Sequence, residues 1–249
     1  MSAYGDFAEI YDLLMDDFDA PAWANYYLQL IARAGVQPRT MCDCACGTGA
    51  LTSPFSQHGI RVTGVDLSEE MLEQAARKAR EAGSAQIVFV RQDMCRLNLP
   101  RPVDALVCGC DGVNYLLTQE RLRAFFSAAH RAIRPGGVLA FDISSAYKIE
   151  KVLGDGFFGE ERDEVAYLWS NQYDPERRTV TMDLTFFRKE ASGLYRRFSE
   201  RHVQRAHRID ELAAPLKQIG FSQICVYGDR TWDAPREDEL RIHFSCVRE

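Results

Sequence analysis

Residues 40–49, Thr-Met-Cys-Asp-Cys-Ala-Cys-Gly-Thr-Gly, decide the fold. The first five, TMCDC, read as a short strand. Gly47 and Gly49 then turn the backbone, and a short helix runs on to His58 before Gly59 stops it. Glycine lets such a turn tighten and lets the backbone approach a ligand closely. Strand, glycine turn and helix form half of a βα unit, and the same alternation continues outward. Residues 60–66 (IRVTGVD) read as a second strand, followed by a helix that Ser68 caps and Gly83 closes. Residues 86–92 and 103–109 are a third and a fourth strand, 119–133 a helix, Pro135-Gly136-Gly137 a turn, and 138–143 a fifth strand. Short β-rich runs separated by helices pair in parallel. Upstream, Phe7, Ile10, Tyr11 and Leu14 share helical spacing over residues 6–16. A second helix starts near Asp19 with Pro21 in its first turn and the stripe Trp23, Tyr27, Leu30 and Ile31.

The pattern changes after residue 150. Residues 165–173, 179–187 and 195–206 read as strands joined by turns at Asp174-Pro175 and Ser192-Gly193. Val180, Met182, Leu184 and Phe186 alternate onto one face, as in an antiparallel sheet that covers something on one side. Helical spacing returns at Leu212, Leu216 and Ile219, and two strands, 223–227 and 240–247, end the chain. The expected fold is α/β: a doubly wound, Rossmann-like, seven-stranded and mostly parallel sheet, with an antiparallel β insertion over 151–208 and N-terminal helices over 1–36.

Composition narrows the function. The chain has 249 residues, 46% hydrophobic and 27% charged, an ordinary globular balance. Its formal charge of −6 repels phosphate backbones and argues against nucleic acid as a general partner. No apolar run reaches the roughly 20 residues of a membrane span. The N-terminal MSAYGDFAEIYDLL lacks the basic and apolar regions of a secretory signal, so a cytoplasmic protein with reduced thiols is expected. The cysteines, grouped at Cys42, Cys44 and Cys46 and at Cys108 and Cys110, lack the C-x-x-C pairs of zinc sites, and no metal is expected.

Two ligand classes compete for the glycine turn. A dinucleotide site uses G-x-G-x-x-G, with the pyrophosphate at the helix N-terminus. Here the spacing is D-x-A-x-G-x-G, and each possible frame lacks one of those glycines. An acid before the turn, Asp43, suits a cationic ligand better than phosphate oxygens. Asp66 ends the second strand, where a carboxylate can accept ribose hydroxyls; dinucleotide enzymes use the same device. Asp93 ends the third strand and Asp111 follows the fourth, so acids line one rim of the sheet.

The run DCACGTG, then VTGVDLS, VRQDM and VDALVCGCDGVNYL, resembles the class I S-adenosyl-L-methionine-dependent methyltransferases. The N-terminal Y-G-x-F-A-x-I-Y-D-x-L-M resembles the small-molecule members, whose N-terminal helices close over the cofactor. The resemblance implies a methyl transfer from S-adenosyl-L-methionine to a small-molecule acceptor by in-line displacement. Residues 1–36 would then be a lid, 37–150 with 209–249 the cofactor-binding core, and 151–208 a lobe covering the substrate. It further implies that Asp43 and the Ala45–Gly47–Gly49 backbone face the methionine part, Asp66 the ribose, and Leu67 and Met71 the adenine. Asp93 and the Met94 amide would meet the adenine edge, Cys110 the sulfonium end, and Tyr11 and Trp23 would act as lids. The family loop usually carries Gly where Ala45 stands; a methyl group is tolerated there if φ is negative.

A general base helps only where the acceptor must lose a proton in the slow step. Candidates are Asp111, His202 and His207. Tyr115 and Asn114, after the fourth strand, are expected in the acceptor pocket. From Arg188 to Arg208 seven basic side chains face two acids, which reads either as an anionic-acceptor site or as a solvated sheet face. Competing readings are a non-catalytic S-adenosylmethionine-binding sensor or partner subunit and an NAD-dependent oxidoreductase, the last disfavoured by the glycine spacing. The oligomeric state is left open.

Overall fold

Strands β1 (Thr40–Cys44), β2 (Arg61–Asp66), β3 (Ile87–Arg91), β4 (Val103–Cys108) and β5 (Ile133–Ser144) run parallel in the computed structural model, which describes residues 6–15, 18–84 and 86–249 and all their side chains but those of Asp6 and Glu9. β10 (Phe221–Tyr227) and β11 (Arg241–Arg248) complete a seven-stranded sheet in the order β10-β11-β5-β4-β1-β2-β3. Of these, β11 alone is reversed, antiparallel to both β10 and β5. The strand order reverses between β1 and β4, the place where open α/β sheets bind ligands beyond their carboxyl ends.

Alternation along β1 divides the core. Met41 packs with Tyr27, Leu30 and Ile31 of α2 (Ala20–Arg33) and Phe55 of α3 (Thr52–Gln57). Cys42 and Cys44 point the other way, into a core with Phe125 and Phe126 of α5 (Gln119–Ala132) and Leu212 and Leu216 of α6 (Ile209–Ile219). α2 starts as its sequence predicts: Asp19 accepts a hydrogen bond from the Ala22 amide at 3.0 Å, and Pro21 sits in the first turn. Ser68 likewise accepts from the Met71 amide at 3.2 Å at the head of α4 (Glu69–Glu81), and Gly83 closes that helix at φ 66°.

Three local expectations change. The 6–16 segment is a 3-10 turn (Asp6–Glu9) followed by α1 (Tyr11–Leu14), not one helix; residue 16 lies outside the described residues. Burial of Phe7 and Ile10 against Met71 and Phe186 sets its shape, and no side chain caps the helix. Pro135-Gly136-Gly137 lies within β5 as a break in register, with Val103 opposite Ile133 but Ala105 opposite Val138. A methyl group at Gly137 would approach the Asp104 carbonyl oxygen to 2.6 Å, so the close passage requires glycine.

The third change is an extra strand. β6 (Phe157–Glu161), β7 (Val165–Asp174), β8 (Thr179–Lys189) and β9 (Tyr195–Arg205) form a separate antiparallel sheet in chain order. β6 is exposed along its whole length, so it shows no apolar alternation to read. Val180, Met182 and Phe186 are buried on one face of β8, as their alternation predicts. On β9 that face continues through Phe198, His202 and Gln204, opposite Phe186, Met182 and Val180. No described helix is long and apolar enough to cross a membrane.

Candidate active site

The turn after β1 is built from alternating left-handed residues: Ala45 at φ 57°, Gly47 at 54° and Gly49 at 76°. Left-handed alanine is disfavoured by roughly 1–2 kcal/mol, so the negative φ that would make a methyl group easily tolerated at Ala45 is not the one adopted. The turn is braced from behind. The Cys46 amide donates to the Val65 carbonyl at 3.0 Å, and the Gly47 amide to Asp66 Oδ2 at 2.8 Å. At Gly49 a methyl group would crowd Ala75 Cβ at 3.2 Å and would sit on a left-handed backbone, so both packing and φ favour glycine.

Asp43 lies beneath this turn, 2% exposed, and accepts a hydrogen bond from Thr52 Oγ1 at 2.5 Å. Burial pushes its carboxyl up to about 7; the Thr52 hydroxyl opposes the shift and the Asp66 charge adds to it. Asp66 accepts the Ser68 amide at 2.9 Å as well as Gly47, and burial raises its carboxyl despite those bonds. Backbone amides of Gly47, Leu67 and Ser68 all donate to this carboxylate, which leaves about one of its four lone-pair directions for a ligand hydroxyl. Leu67 beside it is 61% exposed at the rim. Met71 is buried under the N-terminal segment, with Phe7, Ile10 and Phe186. Asp93 caps the 3-10 turn Met94–Arg96 through the Cys95 amide at 2.9 Å. Burial would raise its carboxyl, but that amide and Arg121, 3.2 Å away, hold it below the usual carboxylate range. Met94 is half-buried against the core beneath.

The loop after β4 faces the turn. Cys110 and Asp111 are consecutive left-handed residues, at φ 53° and 55°. The Asp111 amide donates to Asp142 Oδ2 at 3.0 Å. Asp111 Oδ1 accepts from Arg241 at 2.9 Å and Oδ2 from Gln204 at 2.7 Å. Arg241 also pairs with buried Asp142, which accepts the Tyr27 hydroxyl at 2.5 Å. Burial alone would raise the Asp142 carboxyl; Arg241 brings it below its ordinary value. A methyl group at Gly112 would meet Cys108 Sγ at 2.9 Å and Ala45 Cβ at 3.2 Å, so the two loops pass close enough that a side chain there would be crowded.

Tyr11 is half-buried beside Cys110, Asp111 and Tyr115, and desolvation keeps its hydroxyl protonated far above its ordinary pKa. His202, 6% exposed, lies edge-on to the Tyr115 ring at 6.1 Å and tilted against Phe7 at 6.0 Å. Burial lowers its pKa, so the imidazole is neutral near pH 7. His207 is brought to about 4 by burial, with Arg205 adding to the shift. Trp23 packs in the α2 core, with the Arg241 guanidinium 5.1 Å over its ring. Asn114 is fully buried and binds backbone: its amide donates to the Ser144 and Arg205 carbonyls, and its oxygen accepts from the Ser144 amide. The fold thus gathers Asp43, Ala45, Gly47, Gly49 and Asp66 in one group and Tyr11, Cys110, Asp111, Tyr115 and His202 in another. Sequence reasoning missed Gln204, Asp142 and Arg241. Of these, Asp142 alone left a trace, as an acid inside the apolar strand VLAFDIS.

A doubly wound sheet with one reversed strand, a glycine turn at its switch point and acids on the neighbouring strand ends is the frame of a nucleoside-cofactor enzyme. Residues 41–137 match the methyltransferase domain family. A Geobacillus sp. (strain WCH70) protein, named by inference a methyltransferase, is 35% identical over 242 residues, covering 97% of this chain and 98% of its own. The crystal structure of an S-adenosylmethionine-dependent methyltransferase from Clostridium acetobutylicum ATCC 824 superposes with a TM-score of 0.89 at 31% identity, covering 98% of each chain. A Saccharopolyspora spinosa dTDP-4-amino-2,3,4,6-tetradeoxy-D-glucose N,N-dimethyltransferase is 28% identical over 222 residues, 87% of this chain and 85% of its own. The chain belongs to the class I S-adenosyl-L-methionine-dependent methyltransferases.

Proposed function

We propose that the enzyme methylates a small-molecule acceptor held between the Cys110–Tyr115 loop and the inner face of the β6–β9 sheet. The observation that carries this reading is the convergence of Tyr11, Tyr115 and neutral His202 beside Cys110, where the sheet lobe closes on the methyltransferase core. The relationship to an amino-sugar N,N-dimethyltransferase supports a sugar-sized amine as acceptor.

The residues fit the cofactor. Asp43 is a buried acid whose raised pKa marks a charge without enough local compensation, which a cationic ligand supplies. Asp43 and the Ala45–Gly49 turn would hold the methionine part, Asp66 the ribose, and Leu67 with Asp93 the adenine. When bound, S-adenosyl-L-methionine supplies an electrophilic methyl group on a sulfonium sulfur. The protein's part is orientation, which can contribute roughly 7–11 kcal/mol in favourable cases. Tyr11 and Tyr115 shape the acceptor's approach and exclude water. His202 Nε2 or Nδ1 takes the proton that the acceptor loses. Asp111 has both oxygens engaged by Arg241 and Gln204, so we assign it to holding the loop rather than to proton transfer.

The test is a screen of amines and hydroxylated metabolites that reads S-adenosylhomocysteine release, repeated with His202→Ala. The expected result is turnover on a small acceptor, lowered by about 10²-fold or more in the variant with cofactor affinity intact. Absence of turnover on every small molecule would overturn the acceptor class, and full activity of the variant would remove the base.

A further inference from the structure

The N-terminal segment is tied down by a residue that neither the glycine turn nor the strand-end acids include. Asp12, on α1, reaches two places on the core. Its Oδ1 accepts a hydrogen bond from Thr48 Oγ1 at 2.7 Å, and its Oδ2 pairs with Lys78 Nζ of α4 at 2.6 Å. Thr48 is the 1%-exposed residue between Gly47 and Gly49, so the first tie ends inside the turn itself. Tyr11, the preceding residue, lies beside Cys110 and Asp111 across the site. The same segment is pinned at two further points: Phe7 stacks on Phe186 of β8 at 4.9 Å, and Arg162 donates to the Leu13 carbonyl at 2.8 Å. Those two attach it to the β6–β9 sheet. Within α1, the Asp12 carboxylate is the attachment to the turn and to α4.

We propose that Asp12 is a positioning residue: its carboxylate locks the N-terminal segment onto the 45–49 turn, fixes Thr48, and seats Tyr11 over the Cys110–Asp111 loop. This rests on the reading of the 45–49 turn as the cofactor loop. A ligand in that turn leaves only when the segment lifts, and lifting breaks both bonds of Asp12. The two bonds differ in kind. The Lys78 pair is half-exposed and screened by salt, whereas the Thr48 bond is short, sheltered and insensitive to it.

The experiment measures two things on the full chain: the dissociation rate of S-adenosylhomocysteine by stopped flow, and amide hydrogen exchange over residues 7–15 without ligand. In Asp12→Ala both rise, by about tenfold, because a charge-assisted hydrogen bond and an ion pair are lost together. Asp12→Asn keeps an acceptor for Thr48 and loses the ion pair, so its rise is smaller and vanishes against wild type in about 1 M salt, where the screening length is about 3 Å. Thr48→Val, nearly isosteric, reproduces the salt-insensitive part and guards against loss of folding in the alanine variant. The melting temperature and the exchange of β1 and β4 stay unchanged, which a merely structural residue would not leave untouched. Unchanged dissociation and exchange in Asp12→Ala would overturn the proposal, as would an equal rise across the whole sheet. A wild-type protein that does not bind S-adenosylhomocysteine would refute the cofactor-loop reading instead, and the ligand-free exchange would still judge Asp12.

Discussion

Asp43 combines near-complete burial with a carboxyl pushed up to about 7, chiefly by desolvation. Its ordinary value is about 3.9, so the folded protein holds this proton more tightly than the unfolded chain does. Between about pH 4 and pH 7 the folded state therefore binds more protons, and stability from this group falls as pH rises through that window. Above it the full penalty of a buried charge is present. Asp43→Asn removes that penalty: the variant is expected to be more stable by about 2–4 kcal/mol at pH 8 and close to wild type at pH 4. It should also bind S-adenosyl-L-methionine at least about tenfold more weakly, since the cation loses its counter-charge. Thermal melts at both pH values and calorimetry check the two halves; equal melts at pH 8 would disprove the buried-charge argument. At this scale the acids were legible, because a carboxylate at the end of an apolar strand interrupts an otherwise simple pattern. The positive φ of Ala45 was not, because alanine carries no mark of the left-handed conformation.

Among elements, the junction between the two sheets depends on Asn114. Its side chain joins the end of β5, through the Ser144 amide and carbonyl, to the end of β9, through the Arg205 carbonyl. Arg205 returns the favour by donating to the Leu117 carbonyl at 2.9 Å. Asn114→Ala leaves buried backbone groups without their partners and is expected to destabilise by about 2–4 kcal/mol. A urea titration checks this through a lower midpoint at unchanged slope. Strands and helices with apolar periodicity were read from sequence to within a few residues: β8 carries the alternation that burial on one face requires, whereas β1, buried on both faces, is marked by the glycine turn that follows it. β6 was missed because nothing along it is buried. The 6–16 helix was drawn too long because its spacing reflects what Phe7 and Ile10 bury against, not a continuous helix.

Across the molecule, Arg241 ties the reversed strand β11 to β5 through Asp142 and to the loop after β4 through Asp111, while Gln204 brings in the second sheet. Removing one partner of a buried charge network leaves the others uncompensated, a loss of roughly 3–5 kcal/mol. Arg241→Met is expected to show a deficit of that order at pH 7. Since Arg241 holds Asp142 below its ordinary value, the stability it confers is present above about pH 4 and lost as pH falls through the folded value. The deficit should therefore shrink in acid, which melting curves between pH 3 and pH 7 would show; a pH-independent deficit would point to lost packing alone. The pairing within this network was not legible from the sequence, although Asp111 stood out as an acid after β4 and Asp142 as an acid inside an apolar strand. Gln204 and Asp111 stand 93 residues apart, and only the folded chain makes them neighbours.

One small contact reaches further than its size. Ala45 and Gly112 sit on the two loops that line the proposed cleft, and a methyl group added at Gly112 would come within 3.2 Å of the Ala45 methyl. The bare glycine is the clearance between them. The spacing of the loops therefore depends on position 112 carrying no side chain, and any larger residue there would wedge them apart.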